Sequence, residues 1–169
     1  MKIPRIALAA YGFALLIIVV DQLTKAWVLQ GLGLRFEGQS IPVLAPVFHF
    51  TLVHNEGVSF GLFGDGSARW MLSIFSIVVA GILGWWALKA ERRLLVTAIG
   101  LIMGGAIGNV IDRIRFGWVV DFLDFSGTGF FPWVFNVADS AITIGVVLLI
   151  LDSILSERAA KVGVAAEKS

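Results

Sequence analysis

Four apolar stretches, at about residues 6–29, 70–88, 94–111 and 138–155, dominate the 169-residue sequence. A hydrocarbon core takes roughly 20 helical residues to cross, so each stretch, with its flanks, is long enough to span a bilayer. In lipid every backbone polar group must be satisfied within the segment, which leaves the helix as the form for runs of this kind. Composition agrees: 58% of residues are hydrophobic and 15% charged, whereas soluble domains carry about 25% charged residues. Mean hydropathy is +0.91. The expected fold is an all-α membrane protein with four transmembrane helices, forming a single membrane domain over residues 1–169. The last dozen residues, about 158–169, read as a disordered tail. The first stretch follows basic residues, as a secretory signal does, but it ends "LLIIVVDQ" without a small-residue cleavage pattern and is expected to be a retained anchor.

The distribution of basic residues sets the expected topology. Lys2 and Arg5 precede the first stretch, Lys89, Arg92 and Arg93 fill the link between the second and third, and Arg158, Lys161 and Lys168 follow the fourth. The remaining connections hold five basic residues against eight acidic ones. By the bias of basic loops toward the cytoplasm, both termini are expected inside and the acidic loops outside. A formal net charge of +1 supplies no field that would draw nucleic acid, so membrane lipid is the expected surrounding and nucleic acid is not a partner. The absence of cysteine excludes disulfides, thiolate nucleophiles and Cys-ligated metals.

The first outer loop, residues 30–69, contains "VFHFTLVHN", a β-branched and aromatic run, followed by Gly57, Gly61, Gly64 and Gly66. Such a run between turn residues predicts a small extracytoplasmic β-sheet lying on the membrane. Its aromatic side chains suit the headgroup zone, and its surface is suited to an extended peptide.

Polar residues at membrane depth are few. Asp21 and Lys25 stand four apart on one face of the first helix, and they read as a snorkelling ion pair that fixes the helix at the interface. In "IGLIMGGAIGNVIDRI", Gly100, Gly104 and Gly108 recur every fourth residue, a small-residue ridge that lets helices approach closely. Asn109 and Arg113 share a face at the outer end of the same helix. They present donors suited to a lipid phosphate, a peptide carbonyl or a carboxylate.

Asp121 and Asp139 flank the last outer loop. Asp139 can be read as the N-cap of the fourth helix, since "NVADSAI" is rich in capping residues. Asp121 lies inside "WVVDFLDF", where desolvation penalises its charge and calls for a partner. Gly127, Gly129 and Pro132 stand between the two and supply the turns that bring the carboxyls together. Two close carboxyls share a proton, one serving as general acid and the other as general base toward water. On the residues alone, peptide hydrolysis by an Asp pair competes with proton-coupled transport through an intramembrane acidic relay.

The order "DQLTK", "HNEGVSFGLF", "GGAIGNVIDRIRFGWVVDF" and "FNVADSAITIG" resembles the bacterial lipoprotein signal peptidases, signal peptidase II, across about residues 20–152. The resemblance implies a membrane aspartic endopeptidase that hydrolyses the bond before a diacylglyceryl-modified cysteine, using two aspartates and a water. The substrate is then a diacylglyceryl-modified prolipoprotein. The resemblance also implies a monomer without cofactor or metal, in the inner membrane, with its site near the periplasmic face. By position it makes Asp121 and Asp139 catalytic. It makes Asn55, Gly57, Asn109, Arg113 and Asn136 contacts for substrate, and Asp21 and Lys25 structural support.

Overall fold

The computed structural model describes residues 5–57 and 67–167. Gly61, Gly64 and Gly66 of the glycine series, and Lys2 and Lys168 of the basic flanks, lie outside the described residues.

Four helices are long and apolar enough to cross a membrane: α1 (Arg5–Ala26), α2 (Ser67–Ala87), α3 (Arg93–Arg115) and α4 (Val137–Glu167). The helix of α1 continues into one π-turn, Trp27–Gly31. α3 is the inner helix, with 72% of its span buried against 22% for each of the others. The glycine ridge explains how. A Cβ on Gly100 would stand 2.6 Å from the Ala10 carbonyl oxygen, and one on Gly104 would stand 2.7 Å from that of Ala14. The ridge therefore lays α3 backbone against α1 backbone, a spacing any larger residue forbids. Gly105, on the adjoining face, meets the backbone of Ala138 in α4 in the same way.

Both connections that carry strands, α1 to α2 and α3 to α4, contribute to one antiparallel sheet. Its order is β1 (Ser40–Leu44), β2 (Phe48–Asn55), β3 (Val119–Asp124) and β4 (Val134–Phe135). The sheet is thus wider than the one expected from residues 30–69, because two further strands come from the segment that holds Asp121. β3 pairs with β2 so that Val53 faces Asp121 and Asn55 faces Val119. On one face Leu52, Val120 and Phe122 close over Val28 and Leu34 in a buried cluster.

The segment read as a tail falls for the most part within α4. α4 runs on to Glu167, over "RAAKVGVAAE", where four alanines with Arg158 and Lys161 favour the helix and outnumber Gly163 and its two flanking valines. Lys161 pairs with Glu157 one turn back at 2.6 Å. At this end of the bundle Arg92 also holds the buried Asp152 of α4 at 2.6 Å.

Candidate active site

Alternation along β3 puts Asp121 on the face opposite Val120 and Phe122. While its neighbours enter the apolar cluster, Asp121 turns toward the start of α4. It is 1% exposed, and its two oxygens are both claimed: Asn55 Nδ2 donates to Oδ2 at 2.8 Å and Asn136 Nδ2 to Oδ1 at 2.7 Å. Burial, followed by the nearby charge of Asp139, pushes the Asp121 carboxyl up to about 7 against the pull of those two amides and of Lys25. A carboxyl so placed retains a proton near neutral pH.

Asp139 is not the cap of α4. Asn136 is: its Oδ1 accepts the Asp139 backbone N–H at 2.9 Å, and Asp139 Oδ2 accepts the Asn136 backbone N–H at 3.2 Å. This reciprocal pair is a capping box, with Asp139 at the third helical position. The other oxygen of Asp139 accepts from Asn109 Nδ2 at 2.8 Å. Asn136 therefore touches both carboxyls, Asp121 through its side chain and Asp139 through its backbone.

Asp21 and Lys25 differ from the snorkelling pair expected. Lys25 is 2% exposed and Asp21 0%, so neither head reaches the interface. The ammonium donates to Asp21 Oδ2 at 2.9 Å, Asp112 Oδ2 at 2.7 Å and Asn109 Oδ1 at 3.1 Å. All three of its donors are used, and none faces water. Asp21 Oδ1 accepts the Ala138 N–H at 2.9 Å, while Asp112 accepts the Val120 N–H at 3.1 Å. One buried network thus ties α1, α3, the strand that carries Asp121 and the first turn of α4. Within it, Asn109 has little choice of orientation. Its oxygen receives Lys25 and Asn136 Nδ2, so its NH₂ group faces Asp139.

Asn55 and Gly57 stand at the end of β2. Gly57 has φ +80°, a left-handed backbone that favours glycine, and its N–H donates to Asn55 Oδ1 at 2.8 Å. That bond turns the Asn55 amide so that its NH₂ faces Asp121. Arg113 lies just beyond: a Cβ on Gly57 would come within 3.4 Å of a guanidinium nitrogen. Its charge interacts with Asp139 and Asp121. Arg113 Nε is buried without a hydrogen-bond partner among the described residues, an open donor beside two carboxyls.

An open pocket of about 730 Å³ reaches Asp121 from the sheet side, walled by Val53–Gly57, Glu37 and Pro132–Val134. Among the described residues no cluster of three or more His, Asp or Glu side chains is placed to hold a metal ion. The arrangement joins a protonated carboxyl, a second carboxyl, oriented amides and a way in from water. Its members suit acid–base chemistry on a bound carbonyl.

Asp112, not among the residues expected at the site, is buried and bonded to Lys25, Gln22 and Val120. Its position three residues after Asn109 on a helix face was the available signal. Thr51, which donates to Asp124 at 2.6 Å, was equally unexpected; nothing in the spacing pointed to that pair.

A family model described as signal peptidase (SPase) II matches residues 13–155. The chain is 53% identical over 159 residues to the lipoprotein signal peptidase of Caulobacter vibrioides, covering 93% of each chain. It is 45% identical over 153 residues to that of Shewanella loihica, covering 88% of this chain and 87% of the other. A bacterial membrane enzyme solved by the in meso method at 2.3 Å resolution superposes with a TM-score of 0.73 at 31% identity, over 90% of both chains. A second, at 1.9 Å resolution, gives 0.71 at 32% identity over 85% of this chain and 90% of the other. With four spanning helices, a small antiparallel sheet and this degree of likeness, the chain belongs to the signal peptidase II family and is a multi-pass membrane peptidase.

Proposed function

We propose that the protein is an aspartic endopeptidase that removes the signal peptide from prolipoproteins by hydrolysing the peptide bond before a diacylglyceryl-modified cysteine. The observation that carries this reading is the bridging of Asp121 and Asp139 by the single residue Asn136, at the sheet end of the helical bundle. Asp121 holds its proton up to about 7, which suits it to the acid's part in carboxyl-pair hydrolysis and leaves the base's part to Asp139.

Asp121 carries the shared proton and directs it at the scissile carbonyl oxygen. Asp139 takes a proton from water as the water oxygen attacks the carbonyl carbon. Collapse of the tetrahedral centre breaks the C–N bond: the proton held by Asp139 passes to the departing amine, and one hydroxyl of the tetrahedral centre returns its proton to Asp121 as the new carboxyl C=O forms. Arg113 and Asn55 hold the substrate backbone, so that the reacting groups meet without a search. Asn109 and Asn136 keep the carboxyl oxygens aimed. Asp21 and Lys25 act one step back, through Asn109 and the first turn of α4.

The substrate arrives through the bilayer. Its signal helix and acyl chains stay in lipid, and the scissile bond meets the dyad at the membrane surface. Both termini lie in the cytoplasm of a bacterial inner membrane, the sheet faces the periplasm, and the protein acts as a monomer. Each buried CH₂ of the lipid contributes about 0.8 kcal/mol toward holding the precursor in the membrane, so cleavage depends on the diacylglyceryl group. A purified assay that compares lipidated with unlipidated precursor tests this. At least tenfold higher kcat/KM for the lipidated form is expected, and equal turnover would reject the lipid-directed reading.

A further inference from the structure

The pocket that opens on Asp121 has a charge pattern the reaction itself does not use. Glu37, from the turn before β1, and Glu56, just past β2, both line it, together with His54, Asn55 and Trp133. Among the described residues no lysine or arginine lines it. His54 stacks on Trp118 with ring centroids 3.6 Å apart, and its Nδ1 stands 3.8 Å from Glu37 Oε2. Arg113 lies behind Gly57, and its charge acts on the Asp121 and Asp139 carboxyls. The pocket is therefore polarised, with its cation at the dyad and its carboxylates at the mouth.

The walls of this mouth come from the sheet and the turns beside it, outside the four spans. The parts of a lipidated precursor that stay in the bilayer, its signal helix and acyl chains, are held among the helices. The polypeptide that follows the modified cysteine is the part that leaves the membrane at the dyad, and the sheet-walled pocket is its path. We infer that Glu37 and Glu56 make this pocket a charge-selective exit groove, favouring precursors with basic residues shortly after the cysteine and disfavouring acidic ones. The inference rests on the peptidase reading above and adds to it the side of the substrate that the pocket reads.

Both glutamates are exposed, which sets the size of the effect. Exposed ion pairs contribute modestly and are screened by salt, so each pairing changes kcat/KM by about 1.5- to 5-fold.

The test uses the purified full-length protein in lipid-containing micelles. Three diacylglyceryl-modified precursor peptides differ only at the second and third residues of the mature segment: Lys-Lys, Gln-Gln or Glu-Glu. At low salt, kcat/KM should fall in that order, with about 3- to 20-fold between the extremes. The double substitution Glu37→Gln with Glu56→Gln should bring the ratio of the extremes to within about twofold, and about 0.5 M salt should do the same to the unsubstituted protein. Equal kcat/KM for the three peptides, a preference for Glu-Glu, or a ratio that neither the double substitution nor salt reduces would overturn the inference. The Gln-Gln peptide separates this from the underlying reading. If Asp121→Asn abolishes its cleavage, the dyad stands whatever the charge preference. Should its cleavage survive Asp121→Asn, the dyad itself is wrong.

Discussion

Asn136 and Asp139 exchange hydrogen bonds at the start of α4, side chain to backbone in both directions, at 2.9 and 3.2 Å. The same Asn136 gives its amide to Asp121 at 2.7 Å. A device that begins a helix therefore also holds the two carboxyls in one frame. The spacing that makes a capping box makes the site.

These two duties can be separated by substitution. Asn136→Ala loses both, and should cost about 1 kcal/mol of stability through the cap and about 10- to 100-fold in kcat through the lost amide. Asn136→Ser retains a capping oxygen but no amide, so it should recover most of the stability and little of the activity. Thermal unfolding and steady-state kinetics on the same preparations check this. Parallel recovery of both by Asn136→Ser would mean that Asn136 serves only the helix.

Asp121 should cost the protein stability at the pH where it works. Its carboxyl stands at about 7 in the fold against 3.8 when free, so the folded state binds the proton more tightly. The stability this confers is present below the free value and is lost as pH rises through about 7. Asp121→Asn removes a buried charge at alkaline pH while giving up about one hydrogen bond. It should stabilise the protein by about 1–3 kcal/mol at pH 8, with the gain shrinking toward pH 4. Unfolding measured at the two pH values reads the difference, and a pH-independent loss would contradict the buried, proton-holding environment.

Lys25 neutralises two buried acids at once. Lys25→Met leaves Asp21 and Asp112 without a counter-charge and should destabilise by about 3–5 kcal/mol. Adding Asp112→Asn to Lys25→Met removes one of the stranded charges, so the double variant should be more stable than Lys25→Met alone. A double variant that is worse by the sum of the single effects would show that the three groups do not act as one network.

The helical frame was legible because apolar length is a strong signal and the glycine ridge repeats every fourth residue. That the chain folds back to bring Asp121 and Asp139 to one place was legible from the turn residues between them, and an acid inside "WVVDFLDF" called for a partner. The strand holding Asp121 was not, since β3 is buried on both faces and so lacks the polar alternation that marks a half-exposed strand. The burial of Lys25 was also hidden. A four-residue spacing to Asp21 looks the same on an interfacial helix and a packed one, and only the fold brings Asp112 and Asn109 to the ammonium. In "FNVADS" three residues compete for the cap, and the choice of Asn136 depends on backbone geometry that composition does not carry.

Orientation can be checked with single cysteines, because the chain has none of its own. Gly127 is a poor site: a Cβ there would collide with the Pro46 carbonyl. Phe130, 82% exposed between β3 and β4, and Glu91, exposed in the link between α2 and α3, are better. An impermeant thiol reagent on intact cells should label Phe130→Cys and spare Glu91→Cys. The reverse pattern would place the carboxyls in the cytoplasm, away from exported precursors.

The central claim is that Asp121 and Asp139 act as one catalytic unit, and the most direct measurement is turnover of a lipidated precursor by purified Asp121→Asn, Asp139→Asn and the double variant. Each single change should lower kcat by at least about 10³-fold, and the double should be scarcely worse than either, as for residues that work as a unit. Activity of the unsubstituted protein against pH should be bell-shaped, with its alkaline limb near 7 and two apparent constants that belong to the pair. Asp124→Asn is the contrast: Asp124 holds Thr51 and the Ser126 N–H at 2.6 and 2.9 Å, away from Asn136, and its variant should keep most activity. Loss in the two dyad variants with the fold intact and Asp124→Asn active is the predicted result; substantial turnover by a folded Asp121→Asn or Asp139→Asn protein would contradict the account.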